Sequence, residues 1–463
     1  MAITIRRQSE NKISDISTLL DFNPNEDQKE ALNQIKDFVD NTIDNVFVLT
    51  GAAGTGKTSI MKAVISYINS YLGDFNLLAP TGRAANIIAQ KSNFDAQTIH
   101  SHIYSISEIK DSTGRVIKLR FNAKSNAKDY KEVFFVDESS MLSDVASESD
   151  DFVSENSLLL DFMNYVKNGN ENNKIIFIGD SYQLPPVESV ESRALDVEFL
   201  TKEYGVTVKS FELTKVMRQG EGSYVLENSQ MIKESINNNT LMPLLKYSEL
   251  DSSNNQIDDY VKDINEFGYE KSICLAWTNN TIRDINKQVR NRLYDNPTDQ
   301  IVVGEHLILT SGFYMNKKYI ANGTFVKVIK VSQKIEGIAG YRFVTVYIIN
   351  TDNGQELEGS YKINLDTIDN HEESMDSEKM KALWHERFKV NKDLRESKNK
   401  ADDEYLSAMQ VKYAYAITVH KAQGGEWDKV YMYPEQPSGK EGKRLIYTSV
   451  TRARKELVEI KKY

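Results

Sequence analysis

Cysteine is almost missing: Cys274 is the one cysteine in 463 residues, which excludes an internal disulfide and a cysteine-rich zinc site. It sits in an apolar stretch, where a thiol is expected to be inert core. The six histidines are scattered without metal-ligand spacing. No run approaches the roughly 18 apolar residues of a membrane span. The opening MAITIRRQSENKISD lacks the apolar core of a secretion signal, so a cytoplasmic protein without a membrane partner is expected. Positive charge is not in excess either. A formal net charge of −10 argues against a surface coated with basic residues for nucleic acid, although a local basic groove stays compatible with it. No tandem repeat with a period of about 20 to 50 residues is present. What is there is the composition of a globular protein, 40% hydrophobic and 27% charged, in a chain long enough for about two to four domains.

The densest local signal is NVFVLTGAAGTGKTSIMKAVISYI, from Asn45 to Ile68. Val46, Phe47, Val48 and Leu49 predict a buried parallel strand. Gly51, Ala52, Ala53, Gly54, Thr55 and Gly56 then form a loop whose glycines let successive N–H groups face phosphate oxygens. Lys57 places a cation for the β and γ phosphates, and Thr58 offers Mg2+ a hydroxyl. The helix opening at Thr58 and Ser59, with Ile60, Ala63, Val64 and Tyr67 on one face, points its N-terminus at the anion. The implied cofactors are ATP and Mg2+.

Similar strand-like runs, FNLLAPT, EVFFVDE and KIIFIGD, alternate with amphipathic stretches over the first 215 or so residues, predicting a parallel sheet covered by helices. Between Ser101 and Lys131 a polar segment reads as an inserted hairpin turning at Asp111 to Gly114. A second α/β segment begins near Tyr269 and resumes near Val411. Between its halves, TFVKVIKV and RFVTVYIIN, followed by Asn353-Gly354, predict a small β insertion. Leu383, Trp384 and Phe388, at helical spacing in the charged 370–403 stretch, predict a solvated helix. A faint echo relates NLLAPTGRAANII to CLAWTNNTIRDIN, each a strand leading through threonine into a helix.

Nucleotide hydrolysis needs a carboxylate for the metal and a group that orients water. In VFFVDESSML, Asp137 is placed to hold Mg2+ and Glu138 to polarise the water. Gln183, in IGDSYQLPPV, is suited to sensing a γ phosphate; a plain surface-loop role competes with that reading. Arg218 and Arg452 are candidates for transition-state charge, and both lie so far along the chain that the second α/β domain would have to close on the first.

Taken in order, these motifs resemble those of a superfamily 1 helicase of the RecD and phage Dda type, from about Pro24 to Lys455. NPNEDQKEAL is similar to the adenine-reading glutamine motif, APTGRAA and AQTIHS to first-domain strand motifs, GDSYQLPPV to the coupling motif, ITVHKAQGGEWD to the late second-domain motif and YTSVTRARKEL to the final arginine motif. The resemblance implies two RecA-like domains, at 1–217 and at 218–320 plus 405–463. A pin hairpin would be inserted at 101–131 and an SH3-like β domain with the charged helix at 321–404. It implies that Gln28 meets the base and Glu426 the ribose. Thr81, Thr98, His100, Thr278, Asn279, Thr418 and His420 would face a single strand, and Phe121 would stack on the last base pair. A plain N-cap role is open for each threonine, and packing within its own domain is open for Phe121. The implied activity is ATP-driven 5′ to 3′ movement on single-stranded DNA and opening of tailed duplexes, by a monomer. An RNA-directed helicase and a nucleotide-switched strand clamp remain alternatives.

Overall fold

The computed structural model describes residues 15–461, apart from 72, 111, 113–115, 149–151, 188, 218–222, 250–254, 298–299, 316–317, 321, 352–355, 369–376 and 436–437. Arg218 and the two expected turns, at 111–114 and 353–354, therefore lie wholly or largely outside the described residues. The chain divides into two compact units. One falls within Met1–Ser105, Phe121–Ser147 and Ser154–Gly220, and the other within Ile106–Arg120, Glu148–Val153 and Glu221–Tyr463.

In the first unit the continuous apolar runs become strands buried on both faces, as a helix-covered parallel sheet requires. The sheet has six strands in the order Val208–Leu213, Val46–Gly51, Lys174–Gly179, Glu132–Val136, Asp74–Ala79, Gln97–Thr98, and every pair is parallel. Its registers set Gly51 beside Leu213, Thr50 beside Gly179 and Val136 beside Phe177. The loops that follow the strands therefore leave from one edge, where ligands of open α/β sheets bind. One face of the sheet packs Phe47, Leu49 and Phe135 under helices Glu26–Asp40 and Lys57–Tyr71. The opposite face packs Val48, Phe134 and Phe177 under Leu158–Lys167. Each fully buried side chain of this kind contributes about 1.5–3 kcal/mol. Strands Tyr104–Lys110 and Val116–Ala123 are neighbours in a separate four-stranded sheet, with Phe152–Ser157 and Ala146–Glu148 beyond them.

The second unit has its own parallel sheet, ordered Ala416–Thr418, Ser272–Ala276, Trp427–Met432, Ala453–Glu459. Cys274 is fully buried in it, and burial pushes its thiol pKa up, as an inert core cysteine requires. A five-stranded antiparallel sheet, ordered Glu356–Asn364, Tyr341–Asn350, Phe325–Ile338, His306–Leu309, Val411–Tyr413, closes over its own core of Val326, Val346 and Ile363. Helix Ser377–Val390 is solvated on most of its surface, but Leu383 is buried with Tyr341 and Phe343, and Trp384 and Phe388 pack beside it.

Candidate nucleotide site and strand-facing corners

The Val46–Gly51 strand ends where the chain must reverse sharply. Gly54 and Gly56 take φ of 83° and 95°, left-handed values that cost other residues roughly 1–2 kcal/mol. Space is as tight as the backbone: a Cβ on Gly56 would lie 2.4 Å from Gln28 Nε2, and one on Gly51 would lie 2.7 Å from Thr55 Oγ1. Gln28 sits under the loop, 1% exposed. Its Nε2 donates to Thr55 O at 3.1 Å, while its Oε1 accepts from Asn25 N in a capping box. Buried Thr55 donates to Ala52 O at 2.9 Å. The Lys57 ammonium donates to Gly51 O at 2.7 Å and Ala52 O at 3.0 Å, so the cation is folded back over the loop. Lys57, Thr58 and Ser59 open the helix that follows, Lys57–Tyr71. Two further ties join these motifs to the 214–217 segment: Met217 N donates to Gly54 O at 2.9 Å, and Asp27 accepts from Thr214 Oγ1 at 2.6 Å.

Asp137 follows the Glu132–Val136 strand directly, with its N–H on Leu78 O. Burial and the adjacent Glu138 carboxylate push its pKa up to about 7, while Lys57 and Lys91 favour the ionised form. Lys57 and Lys91 compensate this carboxylate only in part, and a divalent ion would complete the compensation. Glu138 itself is left-handed, at φ 51° and ψ 37°, the kind of local strain that gathers at functional sites. Gln183 is 3% exposed and its Oε1 finds no hydrogen-bond partner among the described residues. Burial without a partner is costly, which favours a ligand-directed role over a surface loop. The donor set thus fits a magnesium nucleotide: glycine N–H groups and Lys57 for phosphates, Thr58 and Asp137 for the metal.

The final arginine motif lies in the second unit. Arg452 is 2% exposed, and its guanidinium donates to Thr448 O at 3.2 Å and Gly425 O at 3.0 Å. It is held inside its own unit rather than projecting from it. Glu426 lies 3.4 Å from Arg454 Nε, an ion pair with no signal in the motif except alternation of charge.

All four expected strand-facing threonines cap helices. Thr81 accepts from Ala84 N, Thr98 from Ser101 N and Thr278 from Thr281 N, each at 3.2 Å, and Thr418 accepts from Lys421 N at 3.4 Å. The capping role is therefore real at every one, each worth about 1 kcal/mol, and it leaves the helix N-terminus facing the loop edge of the sheet. Thr81 and Thr278 hold the same position in the echoed strand–helix units. Asn279 opens the helix after Thr278 and is exposed. Burial lowers the pKa of His100 to about 4 and also lowers that of His420, so both are neutral at pH 7. Phe121 is half-buried, its ring centroid 5.5 Å from His100 and 5.2 Å from Tyr104; its stacking partners here belong to its own domain. Glu435 is unforeseen. Its Oε2 accepts from Thr281 Oγ1 at 2.6 Å and lies 3.3 Å from Thr278 Oγ1.

Residues 23–250 match the AAA domain family and 413–458 match the UvrD-like helicase C-terminal domain family, together more than half of the chain. The chain belongs to the superfamily 1 helicases of the RecD-like, Dda type. Among relatives of this superfamily 1 chain, the ATP-dependent DNA helicase dda of Enterobacteria phage T4 is 24% identical over 458 residues, covering 93% of this chain and 97% of that protein. The RecBCD enzyme subunit RecD of Buchnera aphidicola is 24% identical over 456 residues, 90% of this chain and 69% of that one. An uncharacterized protein of Methanocaldococcus jannaschii, MJ1519, is 25% identical over 474 residues; the match takes in 94% of this chain but 38% of that protein. The AAA match spans Gln28, the glycine loop, Asp137, Glu138 and Gln183, and the C-terminal match spans Thr418, His420, Glu426 and Arg452. Thr278 and Asn279 fall between the two.

Proposed function

We propose that the protein is an ATP-dependent DNA helicase that moves 5′ to 3′ along a single strand and opens tailed duplexes, acting as a monomer. One observation carries the reading: a single loop edge gathers the Gly54–Gly56 cradle with Lys57, the under-compensated Asp137, the strained Glu138 and the buried, unpartnered Gln183 Oε1. Lys57 exchanges loop carbonyls for β and γ phosphate oxygens. Thr58 and Asp137 would hold Mg2+, which when bound would neutralise phosphate charge. Glu138 orients the attacking water and takes its proton, and Gln183 hydrogen-bonds between that water and the γ phosphate. Gln28 serves the base and Glu426 the ribose. Arg218 and Arg452 supply transition-state charge, which for Arg452 requires release from the Thr448 and Gly425 carbonyls. Thr81, Thr98, His100, Thr278, Asn279, Thr418 and His420 face the strand with hydroxyls, amides and neutral rings. Such groups grip a backbone without reading its sequence. The Tyr104–Lys110 and Val116–Ala123 strands act as the pin with Phe121 at its base, and the five-stranded sheet is the SH3-like insertion, extended beyond the expected 321–404 by strands His306–Leu309 and Val411–Tyr413.

The test is ATP-driven strand separation on two DNA duplexes that differ only in a 5′ or a 3′ tail, with Lys57→Ala as control. Opening of the 5′-tailed duplex by the wild type, and of neither by the variant, is the expected result. Opening of the 3′-tailed duplex alone reverses the polarity. Strand-stimulated hydrolysis with no opening of either replaces the motor with a clamp.

A further inference from the structure

The two echoed corners differ in what they present. At Thr81 the following residues are Gly82 and Arg83, and the hydroxyl caps Ala84 N. At Thr278 the equivalent space holds a carboxylate: Glu435, 157 residues further on, accepts from the hydroxyls of both Thr281, at 2.6 Å, and Thr278, at 3.3 Å. An anion at a helix N-terminus occupies the place a strand phosphate would take and repels it. The residue preceding the threonine differs as well, Pro80 in the first corner and Trp277 in the second. Trp277 is 37% exposed, whereas Trp427 is 3% exposed and Trp384 packs beside Leu383. Among the described residues no ring or cation stacks on Trp277. A large aromatic at the exit of a buried strand, beside a corner closed to phosphate, is suited to a base face, because stacking needs no charge.

We propose that the second unit holds the strand by stacking a nucleobase on Trp277, with Glu435 excluding phosphate from the adjacent helix N-terminus, while the Thr81 corner grips phosphate. The inference rests on the single-strand reading above and revises one part of it: at the Thr278 corner a base face replaces the backbone phosphate as the group that is held. It makes the two grips chemically unlike: one follows backbone charge and the other follows base surface.

The experiment measures affinity of the full chain for an oligothymidylate and for an equally long oligomer with a run of abasic sites, which keeps phosphates and removes base faces. Wild type, Trp277→Phe and Trp277→Ala are compared, with tryptophan emission followed on titration. Wild type is expected to bind the abasic oligomer at least about tenfold more weakly. Trp277→Ala is expected to lose about that factor on oligothymidylate and to discriminate less between the two oligomers. Trp277→Phe keeps affinity and discrimination but loses the emission quench. Equal affinity of wild type and Trp277→Ala, with hydrolysis still stimulated by the strand, overturns the stacking role alone. Absence of any strand binding by the wild type overturns the helicase reading beneath it.

Discussion

Glu138 concentrates the conflict between stability and chemistry in one residue. Its left-handed backbone costs roughly 1–2 kcal/mol for a side chain bearing a Cβ, a cost that glycine avoids. Glu138→Gly is therefore expected to stabilise the protein by about 0.5–1 kcal/mol after the extra chain entropy of glycine, while ATP hydrolysis is lost. Glu138→Gln keeps the Cβ and should lose hydrolysis without the gain. Thermal unfolding beside a steady-state ATPase assay checks both, and a Glu138→Gly protein less stable than Glu138→Gln would mean that the backbone strain is relieved elsewhere. Residues of this kind are legible in sequence because their chemistry is local: glycines, Lys57, Thr58, Asp137 and Glu138 lie within or beside the loops they serve. The Met217 bond to Gly54 and the Glu435 bond to Thr281 are not legible, since each joins segments far apart in the chain and neither residue type signals its partner. Burial is similarly hidden. An arginine in TRARKEL reads as a reaching cation, yet Arg452 is enclosed by carbonyls of its own unit.

Elements were legible in proportion to how completely they are buried. Three of the four interior strands of the first sheet carry continuous apolar runs and the fourth, Asp74–Ala79, is apolar and buried at its Leu77–Ala79 end, whereas the edge strands Val208–Leu213 and Gln97–Thr98 are partly exposed and polar, as edges of sheets must be. Helix Asn279–Leu293 carries a feature its amphipathic pattern hides. Arg290 on its inner face is buried, with Nε 3.1 Å from Glu305 Oε2, and Tyr415 donates to Glu305 Oε1 at 2.6 Å. Burial pushes the Glu305 pKa up, and Tyr415 and Arg290 pull it back. The pair pins the helix beside the start of strand His306–Leu309. Removing one partner leaves a buried charge without compensation, so Arg290→Met is expected to destabilise by about 3–5 kcal/mol, and Arg290→Met with Glu305→Leu to recover much of that loss. Denaturant unfolding of the three proteins decides it. A single variant costing under about 1 kcal/mol would mean that water reaches the pair.

At the scale of the whole molecule, the strand grip proposed above is one that would release few ions. The net charge is −10, and the strand-facing groups proposed here are threonine hydroxyls, an asparagine, neutral His100 and His420, and an indole. Single-strand affinity falls with salt by a slope of about 0.7 in the logarithms for each phosphate neutralised. Binding carried by hydroxyls, helix N-termini and stacking should therefore show a slope no steeper than about 2, roughly three phosphates' worth. A protein gripping the strand through lysine and arginine would show several times that. Affinity for oligothymidylate measured across salt concentrations at pH 7.5 gives the slope directly, and a steep value would move the grip to a basic groove that the net charge conceals. A shallow slope would have a functional consequence. A motor must release each grip on every cycle, and contacts that hold by hydrogen bonds and stacking are released by small movements of the groups that make them. A dense field of cations would hold the backbone over about 8 Å at physiological salt whatever those movements were.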